Sequence, residues 1–315
     1  MCVELAEGNR HFRILSLDGG GAKGFYSLGV LREIEAMFNC RLCEVFDLIY
    51  GTSTGSIIGS LLAAGKTVDE IHDSYKEFVP TIMRCKSAAD KSNALSIAAA
   101  AIFENTTFSD FKTGVGVVAT KWDLETPMIF KGNIQQAHGR TATFVPGFGV
   151  SVSEAVQASC SAYPFFEKKR VTTSAGDDIM LVDGGYCANN PTLYAIADAV
   201  NGLHKNIEDL RVVSVGVGVY PEPKSSLFSR TRWVNYLLSV QLLQKTLEIN
   251  TQSMDQLRKI IYGGIKTIRI SDTFEKPEMA TDLFEYNMDK LNLLRQRGSE
   301  SFAKRENEIQ QILLG

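Results

Sequence analysis

At 315 residues, with 33 lysines and arginines against 36 aspartates and glutamates and a formal charge of −3, the chain has room for one large α/β domain and lacks the cationic excess of a nucleic-acid binder. Of six cysteines (Cys2, Cys40, Cys43, Cys85, Cys160 and Cys187) only Cys40 and Cys43 have C-x-x-C spacing, with no second such pair to complete a zinc site, so reduced, mostly buried thiols are expected rather than a zinc site or a disulfide framework. The opening "MCVELAEGNRHF" has no basic stretch followed by an apolar core, and no uncharged apolar run approaches about 18 residues, so neither a secretory leader nor a membrane span is expected and the location follows as cytoplasmic.

In chain order, the strand "FRILSLD" runs into "GGGAKG" and the helical "FYSLGVLREIEAMF". A second strand, "FDLIYG", leads through Gly51-Thr52-Ser53-Thr54-Gly55 into "GSIIGSLLAAG", a helix apolar nearly all round that should lie against the sheet and end at Gly65. Thr67 and Glu70 form a capping box that starts the next helix. In residues 81–107 the polar "RCKSAADKSN" interrupts the apolar pattern before "NALSIAAAAIF", which marks this region as a mobile cap. The alanine run is too short to cross a membrane and is expected to be a packed or lid helix, or an interfacial contact. The strands "VGVVATK" and "PMIFKG" follow, then a second capping box at Ser151 and Glu154, then "IMLVDGG", "RVVSVGV" and "TIRIS". From about Pro221 the texture turns helical, with Trp233, Leu237, Val240 and Leu247 three to seven residues apart. Strands alternating with helices predict a three-layer α/β fold, with a mainly parallel sheet covered by helices on both faces. No repeat or flexible linker divides the chain, so one domain is expected over 1–315, with a catalytic core at about 12–220, a cap at about 81–107 and a helical C-terminal layer at about 225–315.

Two glycine motifs carry the chemistry. Gly19, Gly21 and Gly24 satisfy G-x-G-x-x-G between a strand and a helix. In a dinucleotide-binding oxidoreductase that loop would meet a pyrophosphate, with Glu44 or Asp47 placed to hold the ribose. The same exposed backbone N–H groups also suit an oxyanion on a tetrahedral carbon. Ser53, at the centre of G-x-S-x-G, fits a nucleophile on a strand-to-helix turn and favours the second reading. A serine needs a base, and the histidines offer little. His11, His72 and His138 precede the best acid in the chain, and His204 sits in a polar loop. That acid is Asp183 in "LVDGGYCANNP", delivered by an apolar strand to its carboxyl end, where open α/β sheets place ligand sites. Burial beside Ser53 would raise its pKa and make it a competent base without histidine.

Four blocks, "LSLDGGGAKGFYSLGVLREIE", "FDLIYGTSTGSIIGSLLAAG", "ASCSAYPFFEKKR" and "LVDGGYCANNP", occur in that order over roughly residues 12 to 200. In them the chain resembles the patatin-like phospholipases. The resemblance implies a Ser53–Asp183 dyad, with Gly20 and Gly21, next to Gly19, supplying oxyanion-hole amides and Gly24 and Thr54 supporting the loop. It implies metal-independent, cofactor-free hydrolysis of fatty-acyl esters in membrane phospholipids, with peripheral membrane contact. Lys23 stands where the family has Arg or Lys, and is expected to support the loop or meet the lipid phosphate, unless it is a solvated surface lysine. Val217 replaces the hydroxyl residue of a Gly-Thr-Gly strand end, which removes one supporting hydrogen bond from the family pattern and leaves the dyad untouched. The compact chain also looks like the bacterial patatin-type effectors of antiviral signalling that cyclic dinucleotides activate. Arg230, Arg232, Trp233 and Tyr236 are candidates to line such a site by stacking and phosphate pairing, or else to pack as a helix start. An acyltransferase or a catalytically silent binding protein on the same scaffold is the alternative.

Overall fold

Strand β1 (Phe12–Leu17) lies in the middle of the sheet, and its side chains alternate as pleating requires: Leu15 and Leu17 enter one core, Ile14 the other. The remaining strands are β2 (Leu48–Thr52), β3 (Gly114–Lys121), β4 (Thr126–Lys131), β5 (Lys169–Thr172), β6 (Asp178–Asp183), β7 (Leu210–Val215) and β8 (Lys266–Ile270). This computed structural model describes residues 11–221 and 231–314, and of 231–238 the backbone alone. The sheet order is β5-β6-β3-β2-β1-β7-β8, with β4 also on β3. The run β3-β2-β1-β7-β8 is parallel, whereas β4, β5 and β6 enter antiparallel. The mainly parallel sheet therefore has an antiparallel flank, and the strand carrying Asp183 belongs to that flank.

The helices are α1 (Gly24–Phe38), α2 (Leu42–Val45), α3 (Thr54–Ala63), α4 (Val68–Arg84), α5 (Ala88–Phe103), α6 (Val152–Ser159), α7 (Gly185–Ala188), α8 (Thr192–Asn201), α9 (Thr231–Ile261), α10 (Met288–Ala303) and α11 (Glu306–Leu314). Helices α1, α3, α4, α5, α6 and α10 bury their apolar sides with Leu15, Ile49 and Val213 on one face of the sheet. Ala195 and Ile196 of α8, with Met254 of α9, pack against Ile14 and Tyr50 on the other. Thr67 forms its capping box with Glu70. At Ser151 the hydroxyl caps α6, but Glu154 turns to that hydroxyl at 2.9 Å instead of closing a box on the backbone. Helix α4 continues through Pro80 to Arg84, so the region expected as a cap begins inside a helix. Its alanine run forms α5, which buries Leu95, Ala99 and Phe103. Among the described residues no helix is long and apolar enough to cross a membrane.

Candidate active site

Strand β2 delivers Ser53 to the first turn of α3. The residue holds φ 52° and ψ −124°, a conformation that costs a non-glycine residue about 1–3 kcal/mol and persists only where the surroundings impose it. They do. A Cβ on Gly51 would lie 2.2 Å from the Gly55 carbonyl oxygen, and one on Gly55 would lie 2.3 Å from that of Leu17, so strand and helix approach through bare backbone. The Ser53 N–H donates to Ser159 Oγ at 2.9 Å, and Ser159 in turn donates to the Val118 carbonyl at 2.6 Å. The Ser56 hydroxyl donates to the Ser53 carbonyl at 2.7 Å.

Asp183 arrives from the opposite direction. On one edge of β3, Thr52 of β2 pairs with Val118, and Asp183 of β6 pairs with the next residue, Ala119. The two strands end head to head. Asp183 is 2 % exposed, and burial lifts its pKa to about 7, against the downward pull of the Gly185 N–H, which donates to Oδ1 at 2.7 Å, and of the neighbouring Ser53 hydroxyl. Buried Cys160 lines the same cavity, kept a thiol by desolvation and by the charge of Asp183. No histidine takes part. His138 is bound to Asp198 at 2.5 Å, His11 to Arg211 at 2.6 Å, His72 is packed edge-on against Phe25, and His204 is exposed.

The glycine loop follows β1. The Gly19 N–H is already taken by the Asn189 carbonyl at 3.0 Å, which removes it from the expected oxyanion donors. The N–H groups of Gly20 and Gly21 have no partner among the described residues. Gly21 holds φ +56°, and a Cβ there would lie 2.4 Å from the Leu283 carbonyl oxygen. The loop is anchored by buried Asp18, which Arg269 grips with two nitrogens, one at 2.8 Å, while the same guanidinium reaches Ser214 at 2.8 Å. Asp47 accepts the Arg13 N–H at 2.8 Å at the far end of β1, and Glu44 lies in α2 beside it. The acids of the dinucleotide reading are thus at the wrong end of the strands.

Residues 15–196 match the family model described as patatin-like phospholipase. The chain belongs to this family. It is 62% identical over 304 residues, 96% of this chain and 94% of the relative, to a cUMP-AMP-activated phospholipase of Escherichia coli. It is 27% identical to a cGAMP-activated phospholipase of E. coli strain TW11681, over 71% of this chain and 67% of that protein. Among solved structures, VipD from Legionella pneumophila aligns at 12% identity over 94% of this chain and 66% of that one, with a TM-score of 0.46, too low to add to the assignment.

In this patatin-like chain, Ser53, Asp183, Gly20 and Gly21 line one cavity of about 60 Å³. Its walls are apolar: Phe78, Val79 and Met83 of α4, Leu247 of α9, and Leu283 and Phe284 of the segment before α10. Gly24 and Thr54 meet behind the loop, where a Cβ on Gly24 would lie 2.4 Å from Thr54 Oγ1. Tyr75 donates to the Thr54 carbonyl at 3.0 Å. Lys23 is not a surface lysine. It is 4 % exposed and faces a separate polar hollow of about 20 Å³ with Asp18, Glu248 and Arg269, rather than the Ser53 cavity. Burial pushes its pKa down, and the charges of Glu248 and Asp282 push it back up. Val217, which stands where the family pattern has a hydroxyl residue, places its methyls against Gly20. Arg230 lies outside the described residues, as do the side chains of Arg232, Trp233 and Tyr236. Among the described residues no cluster of His, Cys, Asp and Glu could hold a metal ion. Sequence reasoning missed Ser159, Asn189 and Arg269, each of which fixes the site from more than a hundred residues away.

Proposed function

We propose that this protein is a phospholipase that cleaves fatty-acyl esters of membrane phospholipids with Ser53 as nucleophile and Asp183 as base. The observation that carries this reading is the Ser53 hydroxyl beside a buried, high-pKa carboxylate, with two unpartnered amides in the same apolar cavity. Asp183 takes the Ser53 proton as Oγ attacks the ester carbonyl, and the N–H groups of Gly20 and Gly21 receive the oxyanion. The proton returns to the leaving alkoxide, lysophospholipid departs, and water attacks the acyl-enzyme with Asp183 again as base. The whole chain, 1–315, works as one domain, with its core at about 12–220, a cap at about 81–107 and a helical C-terminal layer at about 225–315.

The enzyme acts from the cytoplasm at a membrane surface. Trp122, Leu124 and Tyr163 are 41%, 66% and 39% exposed, and Lys168 sits 3.9 Å above the Trp122 ring. Aromatic residues beside a lysine suit a lipid headgroup region. Tyr163 follows Ala162 of the cavity wall, so this patch would hold the site against the bilayer.

A cyclic dinucleotide switches the enzyme on in antiviral defence. The names of its relatives support the activation by a cyclic dinucleotide, and so does a Ser53 cavity of about 60 Å³, small for a lipid tail. The test is phospholipid hydrolysis by wild type and Ser53→Ala, with fatty acids identified and cUMP-AMP or cGAMP added. Equal rates for the two proteins would remove the dyad, and rates indifferent to either nucleotide would remove the switch.

A further inference from the structure

The Ser53 cavity is small, yet a much larger hollow lies near it. A groove of about 570 Å³ runs over α4 and α5, floored by Ile71, Phe78, Ala94, Ala98, Ala101 and Ile102. A narrow space of about 10 Å³ separates it from the Ser53 cavity. The three share walls. Phe78 borders all of them, Ile57 and Leu95 border the cavity and the narrow space, and Ala98 and Ile102 border the narrow space and the groove. A row of shared apolar residues, Ile57, Phe78, Leu95, Ala98 and Ile102, therefore runs from the Ser53 cavity toward the groove over α4 and α5.

The alanine run of α5 is what leaves room along it. Ala94, Ala98 and Ala101 recur at helical spacing on one side, while Leu95, Ala99 and Phe103 are buried on the other. The groove's rim is polar and mainly acidic, with Glu70, Glu77 and Glu104 against a single Lys66 that is itself 3.6 Å from Glu70. Such a rim repels a phosphate headgroup, and an apolar floor that shares Phe78 with the Ser53 cavity suits an uncharged tail.

We propose that the groove between α4 and α5 is the outer half of the acyl-chain site. The ester carbonyl sits at Ser53, the chain passes Phe78 once that ring rotates, and its distal carbons lie along Ala98 and Ala101. This rests on Ser53 being the nucleophile. The alanines then set how long a chain is accepted.

The test uses the full chain, with cUMP-AMP present, and fluorophosphonates carrying ethyl, octyl or hexadecyl groups. The readout is the rate of Ser53 labelling by each alkyl probe relative to ethyl. Ala98→Trp is expected to lower the hexadecyl-to-ethyl ratio about tenfold or more, since a filled apolar subsite discriminates by about 10–200-fold. Ala101→Trp, farther out, should lower the hexadecyl ratio more than the octyl ratio. Ala101 is exposed, so its variant carries the test if Ala98→Trp does not fold. Ratios that stay at the wild-type value in folded variants would overturn the proposal and leave the groove to a partner protein. If no probe labels wild-type Ser53, the serine-hydrolase reading falls and takes the acyl assignment with it.

Discussion

Thr52 and Asp183 occupy successive places on one edge of β3, opposite Val118 and Ala119, on strands that run toward each other. That register, not a shared loop, brings the Ser53 hydroxyl to the Asp183 carboxylate. Removing either group should abolish hydrolysis while the strands still pair. Ser53→Ala and Asp183→Asn are each expected to lower kcat/KM by about 10³-fold or more without loss of the fold. Activity within about tenfold of wild type for either variant would rule out the dyad.

The pKa of about 7 at Asp183 sets a pH dependence. A base must be ionised to take the serine proton, so kcat/KM should rise as pH climbs through about 7 and level off above it. Stability runs the other way. Because the folded value lies above the ordinary 3.8, ionised Asp183 costs the fold free energy: nothing is lost below pH 3.8, and the loss accumulates up to about pH 7. Fully developed, it is on the order of 4 kcal/mol. Asp183→Asn should therefore stabilise the protein more at about pH 8 than at about pH 5. Denaturant melts showing the same gain at both values would contradict a buried, raised carboxylate.

Local chemistry made Ser53 and Asp183 legible in the sequence, because each lies where a buried apolar strand gives way to glycine. The glycines of Gly51-Thr52-Ser53-Thr54-Gly55 are needed within the same turn that holds the serine, so the motif carries its own geometry. The direction of β6 was not legible, since pairing sense depends on partners distant in the chain. Strand β5 escaped notice because only Val171 of its four residues is buried, too short an alternation to register. Ser159 and Arg269 look like ordinary polar residues of a helix and a strand until folding brings them 106 and 251 residues back to Ser53 and Asp18.

Arg269, with its side chain 20 % exposed, is the countercharge to buried Asp18 on which the glycine loop depends. Without it Asp18 would remain 2 % exposed and unpaired, and breaking such a pair costs about 3–5 kcal/mol. Arg269→Met should lower stability by that order and also impair turnover, because the displaced Asp18 is continuous with Gly19 and Gly20. Asp18→Asn combined with Arg269→Met removes both members of the pair and is expected to recover part of the stability. Equal melting temperatures for Arg269→Met and wild type would show that the pair is not holding the loop.

At the membrane patch, Trp122 and Leu124 stand on the turn between β3 and β4, away from the Ser53 cavity wall. Trp122→Ser with Leu124→Ser removes exposed apolar area whose burial contributes about 25 cal/mol per Å². Vesicle partitioning should weaken by about tenfold or more, while hydrolysis of a monomeric short-chain ester is governed by the dyad and should change far less. Unchanged sedimentation with phospholipid vesicles would place the membrane contact on another face.

Gly20 and Val217 test the oxyanion loop by sterics alone. Gly20 has φ 168°, outside the left-handed region that favours glycine. A Cβ there would nevertheless lie 2.6 and 2.8 Å from the two methyls of Val217, and the loop must shift to make room. A misplaced donor costs about 10²–10³ in kcat, which is the loss expected for Gly20→Ala. Val217→Ala deletes both methyls and leaves its Cβ 3.0 Å away, so the double variant should regain a large part of that loss. Gly21→Ala should not be rescued in this way, because its φ of +56° and its contact at 2.4 Å with the Leu283 carbonyl oxygen both oppose a side chain. Equal turnover for Gly20→Ala and wild type would show that the Gly20 amide does not meet the oxyanion, and the donor pair would have to be sought elsewhere on the loop.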